Sequence, residues 1–447
     1  MSVVMKFGGT SVADAAAFEN VARIVANERD APPVVVVSAI SGVTDSLLAA
    51  TNIASLDNVF ERHRAVAHEL LDARKASEFS DRLSTAADEI AALLAQTPAE
   101  HKSLQDAVVS FGETLSSALL AEVLNQKGIS ARQVDARRCI ITDDEFTSAA
   151  PLPAETYASS RNELMPVLES GVVPVLGGFI ASTRQGVTTT LGRGGSDYTA
   201  ALIGAALGVS EIQIWTDVTG VLTADPRVVP EAQTVARLSY GEAAELAYFG
   251  AKVLHPKTIQ PAIENAIPVR ICNWRAPHEP GTLVGPESAM SPRTVKAIAH
   301  KLGVTTVQIT SARMLGAYGF LRALFEVFER HRTVVDVVTT SEVSVSLSLD
   351  DATALPAIVA ELEPLGIVRV EKGRAIICVV GEGLRGTPGI AARVFSTISD
   401  INVTLISQGA SSINFTFAIE EERVKEAVGR LHEEFFGQQK AQTQTTE

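Results

Sequence analysis

The chain has 447 residues, of which 46% are hydrophobic, enough for two or three domains with apolar cores. Its 38 Lys and Arg against 52 Asp and Glu give a formal net charge of −14, which argues against nucleic acid or an anionic membrane as a partner. The 3 cysteines are widely spaced, and no signal-like segment or membrane-length apolar run is present. We therefore expect a cytoplasmic protein without a disulfide framework or a zinc site.

Short β-branched segments alternate with helical patterns in the first part of the chain. They cover residues 3–7, 34–37, 172–176, 212–215 and 268–272. Continuously apolar strands between helices are typical of a mainly parallel sheet covered by helices on both faces. Residues 1–290 are therefore predicted to form one α/β domain. Within it, residues 45–128 are almost free of Gly and Pro, which predicts a helical subdomain beside a cleft.

The first predicted strand ends in the sequence KFGGTS at residues 6–11. Consecutive glycines let backbone N–H groups approach an anion closely, and Lys6 adds a positive charge beside them. Taken alone, the motif is equally compatible with a strand-to-helix turn that carries a solvated lysine.

A stronger anion-binding signal is LGRGGSD at residues 191–197, which leads directly into an apolar helix pattern. Its glycines leave N–H groups unobstructed at a helix N-terminus, where the helix dipole favours an anion. Ser196 or Asp197 could alternatively be a plain N-cap, although capping does not require Arg193 or the glycines. The segment matches neither GxxxxGK[ST] nor GxGxxG, so neither a P-loop nor a Rossmann site is predicted.

Other polar residues could complete a nucleotide site. Thr216 and Asp217 follow a strand at its carboxyl end, where open α/β sheets bind ligands. Arg227 and Lys252 are further candidate cations, although each could equally be a solvated surface residue. Glu113 lies in an apolar helix pattern, where a carboxylate is unfavourable unless it is paired. Its partner would be either a substrate ammonium group or a structural ion pair. The histidines show no metal-ligand spacing, and no metal-binding residue is predicted.

A cluster of Gly and Pro residues between positions 276 and 293 predicts a domain boundary. Beyond it the sequence repeats itself, with Gly319 and Gly389 in equivalent positions and Val345 matching Ile413. Each copy is predicted to run strand, glycine turn, helix, strand, strand. We place two small α+β modules at 300–370 and 371–437, followed by a polar segment, 438–447, that is predicted to be disordered.

Several motifs together resemble aspartate kinases, most closely the monofunctional, lysine-sensitive type. They are KFGGTSV at 6–12, FGE at 111–113, TTLGRGGSDYTA at 189–200, WTDVTG at 215–220 with DPR at 225–227, and FGAKVLHP at 249–256. The resemblance covers nearly the whole chain. It implies an amino acid kinase fold followed by two ferredoxin-like ACT modules. It also implies transfer of the ATP γ-phosphate to the β-carboxylate of L-aspartate, the first step of lysine, threonine and methionine synthesis.

The resemblance also implies roles for individual residues. Catalysis would involve Lys6, Gly8, Gly9, Asp197 and Lys252. Substrate binding would involve Thr44, Glu113, Arg193, Gly194 and Ser196. ATP binding would involve Lys6, Gly9, Thr10, Ser11, Thr216, Asp217, Arg227 and Lys252. Arg193 would hold the α-carboxylate of aspartate and Glu113 its α-amino group, while Mg²⁺ would bind mainly through the ATP phosphates. Leu222 stands where the family commonly has tyrosine, so a ring contact to adenosine is not expected.

The ACT resemblance and the internal repeat together predict where an effector binds. The expected residues are Met314, Gly319, Phe320, Leu321, Val334, Val335, Asp336, Thr340, Ser341 and Glu342. The second copy has Thr404 and Ala410 opposite Asp336 and Glu342, so only the first copy keeps carboxylates suited to the cationic effector L-lysine. Alternatively, these carboxylates are solvated charges at strand ends. The second module would form a homodimer, or contribute to a tetramer.

Two other functions remain possible from the sequence. One is a kinase of the same fold that acts on glutamate, carbamate or uridylate. The other is a catalytically inactive amino acid sensor that retains its ACT modules, although such a protein would be expected to have lost Lys6, Arg193 or Asp197.

Overall fold

The computed structural model describes residues 2–28, 31–96, 102–250, 254, 256–286, 294–409 and 411–437. Lys252, Ala410, residues 287–293 of the predicted boundary and the predicted disordered segment 438–447 lie outside these described residues. Contacts between residues divide the chain into two units. The first comprises Met1–Val221, Ala236–Tyr240 and Val253–Ser288, and the second comprises Leu222–Val235, Gly241–Lys252 and Ala289–Glu447.

The first unit is built on a mainly parallel sheet, as predicted. Its strands are β1 (Val4–Phe7), β2 (Val34–Val37), β3 (Ala131–Gln133), β4 (Ile141–Thr142), β5 (Val173–Gly177), β6 (Ile180–Thr183), β7 (Thr188–Thr190), β8 (Ile212–Thr216), β9 (Arg237–Ser239), β10 (Val269–Asn273) and β11 (Thr282–Gly285). The main sheet has the order β3-β5-β2-β1-β8-β10-β11-β9, with only the β10–β11 pair antiparallel among the described strands. A small second sheet has the order β4-β6-β7.

Helices fill the connections between these strands. They are α1 (Ala15–Ala26), α2 (Val43–Leu48), α3 (Asp57–Leu70), α4 (Ala73–Leu94), α5 (Lys102–Val109), α6 (Phe111–Gln126), α7 (Pro153–Glu169), α8 (Gly195–Leu207), α9 (Tyr240–Tyr248) and α10 (Gln260–Glu264). Helix α9 lies between β9 and β10 along the chain, but all of it after Tyr240 belongs to the second unit. Helix α1 begins after Asp14, whose carboxylate accepts the Ala17 N–H at 2.9 Å as a side-chain cap. Its apolar side, including Phe18 and Val21, packs in one core with Phe7 of β1.

The stretch Lys102–Gln126, which contains α5 and α6, is the helical segment of the described chain that is long and apolar enough to cross a membrane. However, 78% of its most apolar window is buried inside the protein. Such burial is expected of a core helix, because the apolar surface is already covered by protein.

The second unit contains the predicted repeat. Its strands are β12 (Ala297–Thr310), β13 (Val338–Thr340), β14 (Ser344–Leu349), β15 (Ile367–Val380), β16 (Leu405–Gln408) and β17 (Asn414–Glu420), and its further helices are α11 (Phe320–Arg330), α12 (Leu355–Leu362), α13 (Ile390–Thr397) and α14 (Val424–Phe436). Gly319 and Gly389 precede α11 and α13 with φ of 81° and 85°, a left-handed conformation that favours glycine. Each copy also ends in a helix, α12 or α14, that the predicted repeat did not include.

The two copies share one antiparallel sheet, with the order β13-β14-β12-β15-β17-β16. The first residues of β12, from Ala297 to Lys301, pair with the end of β15, whereas its last residues pair with the start of β15. Each module is therefore completed by part of the long strand that begins the other. Position 370/371, where we separated the modules, falls inside β15. In β14, Val345, Leu347 and Leu349 are fully buried on the core side. Ser348 is also buried, and its hydroxyl accepts the Val337 N–H at 3.0 Å.

Candidate active site

A pocket of about 370 Å³ in the first unit contains many of the predicted site residues. It is lined by Lys6, Gly9, Ser38, Ala39, Ile40, Ser41, Gly42, Thr44, Asp45, Glu113, Phe179, Gly192, Gly194, Gly195, Ser196 and Asp197. These residues come from the carboxyl ends of β1, β2 and β5, from the turn between β7 and α8, and from the starts of α2, α6 and α8. The pocket therefore lies where open parallel sheets commonly bind ligands.

Lys6 and Asp197 form an ion pair within this pocket. Strand β1 places the Lys6 Nζ 2.7 Å from Asp197 Oδ1 in the first turn of α8. The two side chains are 13% and 17% exposed, so the pair is partly accessible, although Asp197 Oδ1 itself is buried. The pair joins the KFGG and GRGGSD motifs, as expected if both contact the same anion.

The glycine-rich segment forms a left-handed turn rather than a side-chain cap. Gly192 and Gly194 have φ of 71° and 75°, and Gly194 is the N-cap of α8 without a capping side chain. The alternative that Ser196 or Asp197 is the N-cap is wrong, because both lie inside the first helical turn. The Gly195 N–H donates to the Gly192 carbonyl at 3.0 Å, so the N–H groups available to an anion are those of Ser196 and Asp197.

Two residues predicted as contacts in the first motif have polar groups that face the neighbouring strand β8. The Gly8 N–H donates to the Trp215 carbonyl at 3.3 Å, and so cannot also point at a phosphate. Ser11 is fully buried, and its hydroxyl also faces the Trp215 carbonyl at 3.5 Å. By contrast, Gly9 lines the pocket, and a Cβ at this position would lie 2.9 Å from the Ala39 carbonyl oxygen. Thr10 is exposed beside it.

Glu113 is a buried carboxylate at the start of α6. It is 3% exposed, and its Oε1 accepts the Ala39 N–H at 3.1 Å. Burial raises the pKa of Glu113 to about 8, although the Ala39 N–H offsets part of this effect. Among the described residues its Oε2 has no hydrogen-bond partner and no charged residue affects its pKa. The alternative of a structural ion pair is therefore not supported among the described residues, and Oε2 remains free to meet a cationic group of a ligand.

Close backbone approach brings Glu113 and Ser196 against two consecutive glycines at the end of β5. A Cβ on Gly177 would lie 2.8 Å from the Cβ of Glu113, and one on Gly178 would lie 2.7 Å from the Cβ of Ser196. Both positions therefore require glycine. The Ser196 hydroxyl in turn accepts a hydrogen bond from the Ser38 hydroxyl at 3.0 Å.

Ser38, Asp45 and Phe179 line the pocket but were not among the predicted site residues. Ser38 could have been identified, since it directly follows β2, the strand next to β1. Phe179 has φ of 68°, which is uncommon for a residue with a side chain. No local pattern predicts such a conformation at a phenylalanine.

Other predicted site residues do not line this pocket. Arg193 is exposed between Gly192 and Gly194, which do line it. Thr216 and Asp217 follow one another at the end of β8, with the Thr216 hydroxyl donating to Asp217 at 3.2 Å. Arg227 belongs to the second unit, where it forms an ion pair with Asp225 at 2.6 Å. Lys252 lies outside the described residues.

The predicted effector residues surround the start of α11 and the β13–β14 turn in the second unit. Met314, Phe320 and Val335 are partly buried against the core of the first module. Leu321, Val334, Thr340, Ser341 and Glu342 are exposed. Gly319 provides the left-handed N-cap of α11.

Asp336 has a more deeply buried side chain than the exposed members of this group. Its side chain is 3% exposed, with the Lys301 Nζ 3.8 Å from its Oδ2, and Lys301 also pairs with Asp350. Burial, and then the neighbouring Asp350 carboxylate, raise the pKa of Asp336 to about 7. The alternative of a solvated strand-end charge is therefore wrong for Asp336, whereas Glu342 is exposed.

Comparison with known proteins identifies the family. Residues 1–273 match the Amino acid kinase family, and residues 377–435 match the ACT domain. Aspartokinase 3, chloroplastic, from Arabidopsis thaliana is 41% identical over 462 residues, which cover 98% of this chain and 82% of that protein. The chain belongs to the aspartokinase family. Aspartokinases are ATP-dependent phosphotransferases with a carboxyl acceptor.

Two solved structures of Escherichia coli aspartokinase III also resemble the chain. The complex with aspartate and ADP, in the R-state, has a TM-score of 0.81 at 37% identity and covers 98% of this chain and 100% of its own. The complex with lysine and aspartate, in the T-state, has a TM-score of 0.82 at 38% identity, with coverages of 97% and 99%. These full-length matches to aspartokinases favour that activity over the other kinases of the same fold and over an inactive sensor.

Proposed function

We propose that this chain phosphorylates the β-carboxylate of L-aspartate with ATP, giving 4-phospho-L-aspartate, and that L-lysine inhibits it. The observation that carries this proposal is a buried, unpaired Glu113 in the same pocket as the Lys6–Asp197 ion pair. An anion site and a site for a cation therefore lie together, as an α-amino acid phosphorylated by ATP requires. The aspartate, ADP and lysine bound to the Escherichia coli enzyme support the same reading.

Aspartate would bind as a zwitterion. Its α-ammonium group would pair with Glu113, a buried carboxyl group that has no cationic partner among the described residues. Its α-carboxylate would be held by Arg193, because a planar guanidinium can donate two parallel hydrogen bonds to a carboxylate. Thr44, at the start of α2, and Ser196, in the first turn of α8, both line the pocket and would contact the substrate.

Phosphoryl transfer would depend mainly on positioning and on neutralising negative charge. The substrate carboxylate is already a nucleophile, so no general base is needed. Lys6, the Gly9 turn and the N–H groups of Ser196 and Asp197 would face the transferred group, whose oxygens carry the charge. Lys252 is the second cation in this proposal.

A magnesium ion fits this arrangement as part of the ATP complex. Asp197 offers one partly accessible carboxylate beside Lys6, and Mg²⁺ bound to nucleotides commonly takes one or two protein carboxylates together with phosphate oxygens. When bound, Mg²⁺ would neutralise charge on the phosphates. The remaining nucleotide contacts would come from Thr10, Thr216, Asp217 and Arg227, without the Gly8 N–H or the Ser11 hydroxyl.

Regulation would be divided between the two ACT modules. Residues 1–290 would form the catalytic domain, residues 300–370 would bind L-lysine near Asp336 and Glu342, and residues 371–437 would form a homodimer, with a tetramer as a larger assembly. Inhibition would then be a shift between two global states, with a coupling of about 1–3 kcal/mol between the effector and substrate sites. A cytoplasmic location fits the negative net charge and the three free, buried cysteines.

The test uses the reactivity of the product. Acyl phosphates react with hydroxylamine, so ATP, Mg²⁺ and L-aspartate should yield a hydroxamate that is absent without the acceptor and much reduced with L-glutamate. Added L-lysine should suppress its formation. Absence of hydroxamate above the no-acceptor control would overturn the assignment, whereas hydroxamate unaffected by lysine would overturn only the effector.

A further inference from the structure

Asp106 on α5 is a buried carboxylate that the proposed mechanism does not use. It is 2% exposed, and its oxygens accept three hydrogen bonds. Its Oδ1 accepts the Thr190 hydroxyl at 2.8 Å, and its Oδ2 accepts the N–H groups of Thr190 at 3.0 Å and Thr147 at 2.9 Å. These donors lie 84 and 41 residues away along the chain, so one carboxylate joins three distant segments.

Thr190 ends β7 and leads directly into the glycine turn that carries Arg193. In addition to its bonds with Asp106, its carbonyl accepts the Ala149 N–H at 2.9 Å. All of its polar groups are therefore bonded, and the residue is 2% exposed. Two residues later, Gly192 adopts the left-handed φ of 71° that starts the turn. The position of Thr190 consequently sets where the turn begins.

Thr147 lies close to Gly192, the first residue of the same turn. It has φ of 75°, which is strained for a β-branched residue, and such strain persists only where the surroundings hold the backbone in place. Its carbonyl oxygen would lie 3.4 Å from a Cβ on Gly192. The hydrogen bond from the Thr147 N–H to Asp106 is one of the contacts that hold this conformation.

From these contacts we infer that Asp106 is a positioning residue that fixes the turn at residues 192–194, and with it Arg193, relative to Glu113. Asp106 lies on α5 and Glu113 on the next helix, α6, so this helix pair carries one substrate-binding group directly and anchors the other. The inference rests on the proposed function, in which Glu113 and Arg193 bind the two ends of an α-amino acid. Asp106 would thus set the spacing between the ammonium and carboxylate sites.

The test is the Asp106→Asn substitution. The asparagine amide has a single acceptor oxygen, and its NH₂ group cannot accept the backbone N–H groups, so the turn should lose at least one anchor. We expect the KM for L-aspartate to rise about tenfold or more, because hydrogen bonds to an ionised group are among the stronger ones. The KM for ATP and kcat should each stay within about threefold of wild type. A merely structural defect would lower the amount of active enzyme without this separation of the two KM values.

Matched variants separate anchoring from general damage. Asp143→Asn changes a carboxylate that accepts the Ala150 N–H at 2.9 Å in the same loop but has no bond to Thr190, and it should leave both KM values near wild type. Thr190→Val removes the hydroxyl bond to Asp106 at nearly constant shape and should raise the KM for aspartate. Thr190→Ser keeps the hydroxyl, so its KM for aspartate should stay near the wild-type value. This second pair decides the question if Asp106→Asn fails to fold.

The possible failures are distinguishable. Suppose that the wild-type enzyme forms hydroxamate. An unchanged KM for aspartate in Asp106→Asn, or in Thr190→Val, would then overturn the positioning role alone. Equal increases in the KM for aspartate and for ATP would also overturn it. A wild-type enzyme that makes no hydroxamate from aspartate would overturn the proposed function and this inference together.

Discussion

Glu113 in the first unit and Asp336 in the second are both buried carboxylates with raised pKa values, but their surroundings differ. Glu113 faces a pocket, and among the described residues its Oε2 has no partner. Asp336 lies 3.8 Å from the ammonium group of Lys301, which is shared with Asp350. One site therefore lacks a cation that a ligand could supply, whereas the other already contains one.

This difference predicts unequal consequences of ligand binding. An ammonium group that meets Glu113 converts a buried, unpaired carboxyl group into an ion pair, and loss of one partner from such a pair typically costs about 3–5 kcal/mol. An ammonium group that reaches Asp336 has to share the carboxylate with Lys301. We therefore expect changes at Glu113 to have larger effects than changes at Asp336.

The largest effect is expected from Glu113→Gln. It keeps the shape of the side chain but removes the charge that would bind the substrate ammonium group, so kcat/KM for aspartate should fall about 100- to 1000-fold. Steady-state kinetics with the hydroxamate assay would measure this. Glu122→Gln, on the same helix and paired with Lys75 near the surface, should stay within about twofold of wild type. A loss of similar size in Glu122→Gln would contradict a specific role of Glu113.

The pH dependence of aspartate use should follow the ionisation of Glu113. Only the ionised carboxylate pairs with the ammonium group, and the pKa of Glu113 is raised to about 8, so the protonated form predominates below that pH. We expect kcat/KM for aspartate to fall about tenfold per pH unit below 8. The residual activity of Glu113→Gln should vary much less over the same range. An equally steep profile in that variant would assign the ionisation to another group.

A smaller effect is expected from Asp336→Asn. The variant removes the buried charge beside Lys301 but lies outside the proposed catalytic domain. The lysine concentration for half-inhibition should rise about tenfold, within the usual range of allosteric coupling, while uninhibited turnover stays within about twofold. Asp351→Asn alters an exposed carboxylate that accepts the Thr353 N–H. Lysine should inhibit this control variant at the same concentration as it inhibits the wild type. Unaltered lysine inhibition in Asp336→Asn would place the effector elsewhere.

The smallest effect is expected in the pH dependence of lysine inhibition. Since the pKa of Asp336 is raised to about 7, this carboxyl becomes protonated as pH falls below 7 and can no longer pair with an ammonium group. Inhibition should weaken a few-fold as the pH falls from 8 to 6. The effect should be limited because the Lys301 ammonium group already lies beside Asp336. Titrations with lysine at both pH values would measure it. The effect should be absent in Asp336→Asn, and inhibition that strengthens at pH 6 would contradict it.

Local sequence patterns indicated many residues of the candidate site. The glycines at 192 and 194 and at 319 and 389 could be predicted to form turns, and each has a left-handed φ in the structure. The apolar strands, the breaker-free helices and the internal repeat were likewise predictable, because hydrophobic period and glycine content act within a few residues of one another. Glu113 stood out for the same reason, as a carboxylate inside an apolar helix pattern.

Partners distant in sequence could not be predicted in this way. Ser11 and Gly8 look like anion contacts in the motif, but both bond to the Trp215 carbonyl of the neighbouring strand β8. The repeat suggested two separate modules, whereas β12 and β15 each contribute to both. Nothing in the local sequence indicated that Lys301 would lie beside Asp336.

The sequence by itself determined the strands and helices, the glycine turns and the charged groups that identify the chain as an aspartokinase. Only the tertiary structure decided which of those groups remain open to a ligand: Glu113 without a cation, Asp336 with one, and Asp106 bonded to Thr190, 84 residues away. The reason is physical. Backbone conformation follows mainly from neighbouring residues, whereas the burial and pairing of a polar group depend on whatever segments the fold brings against it.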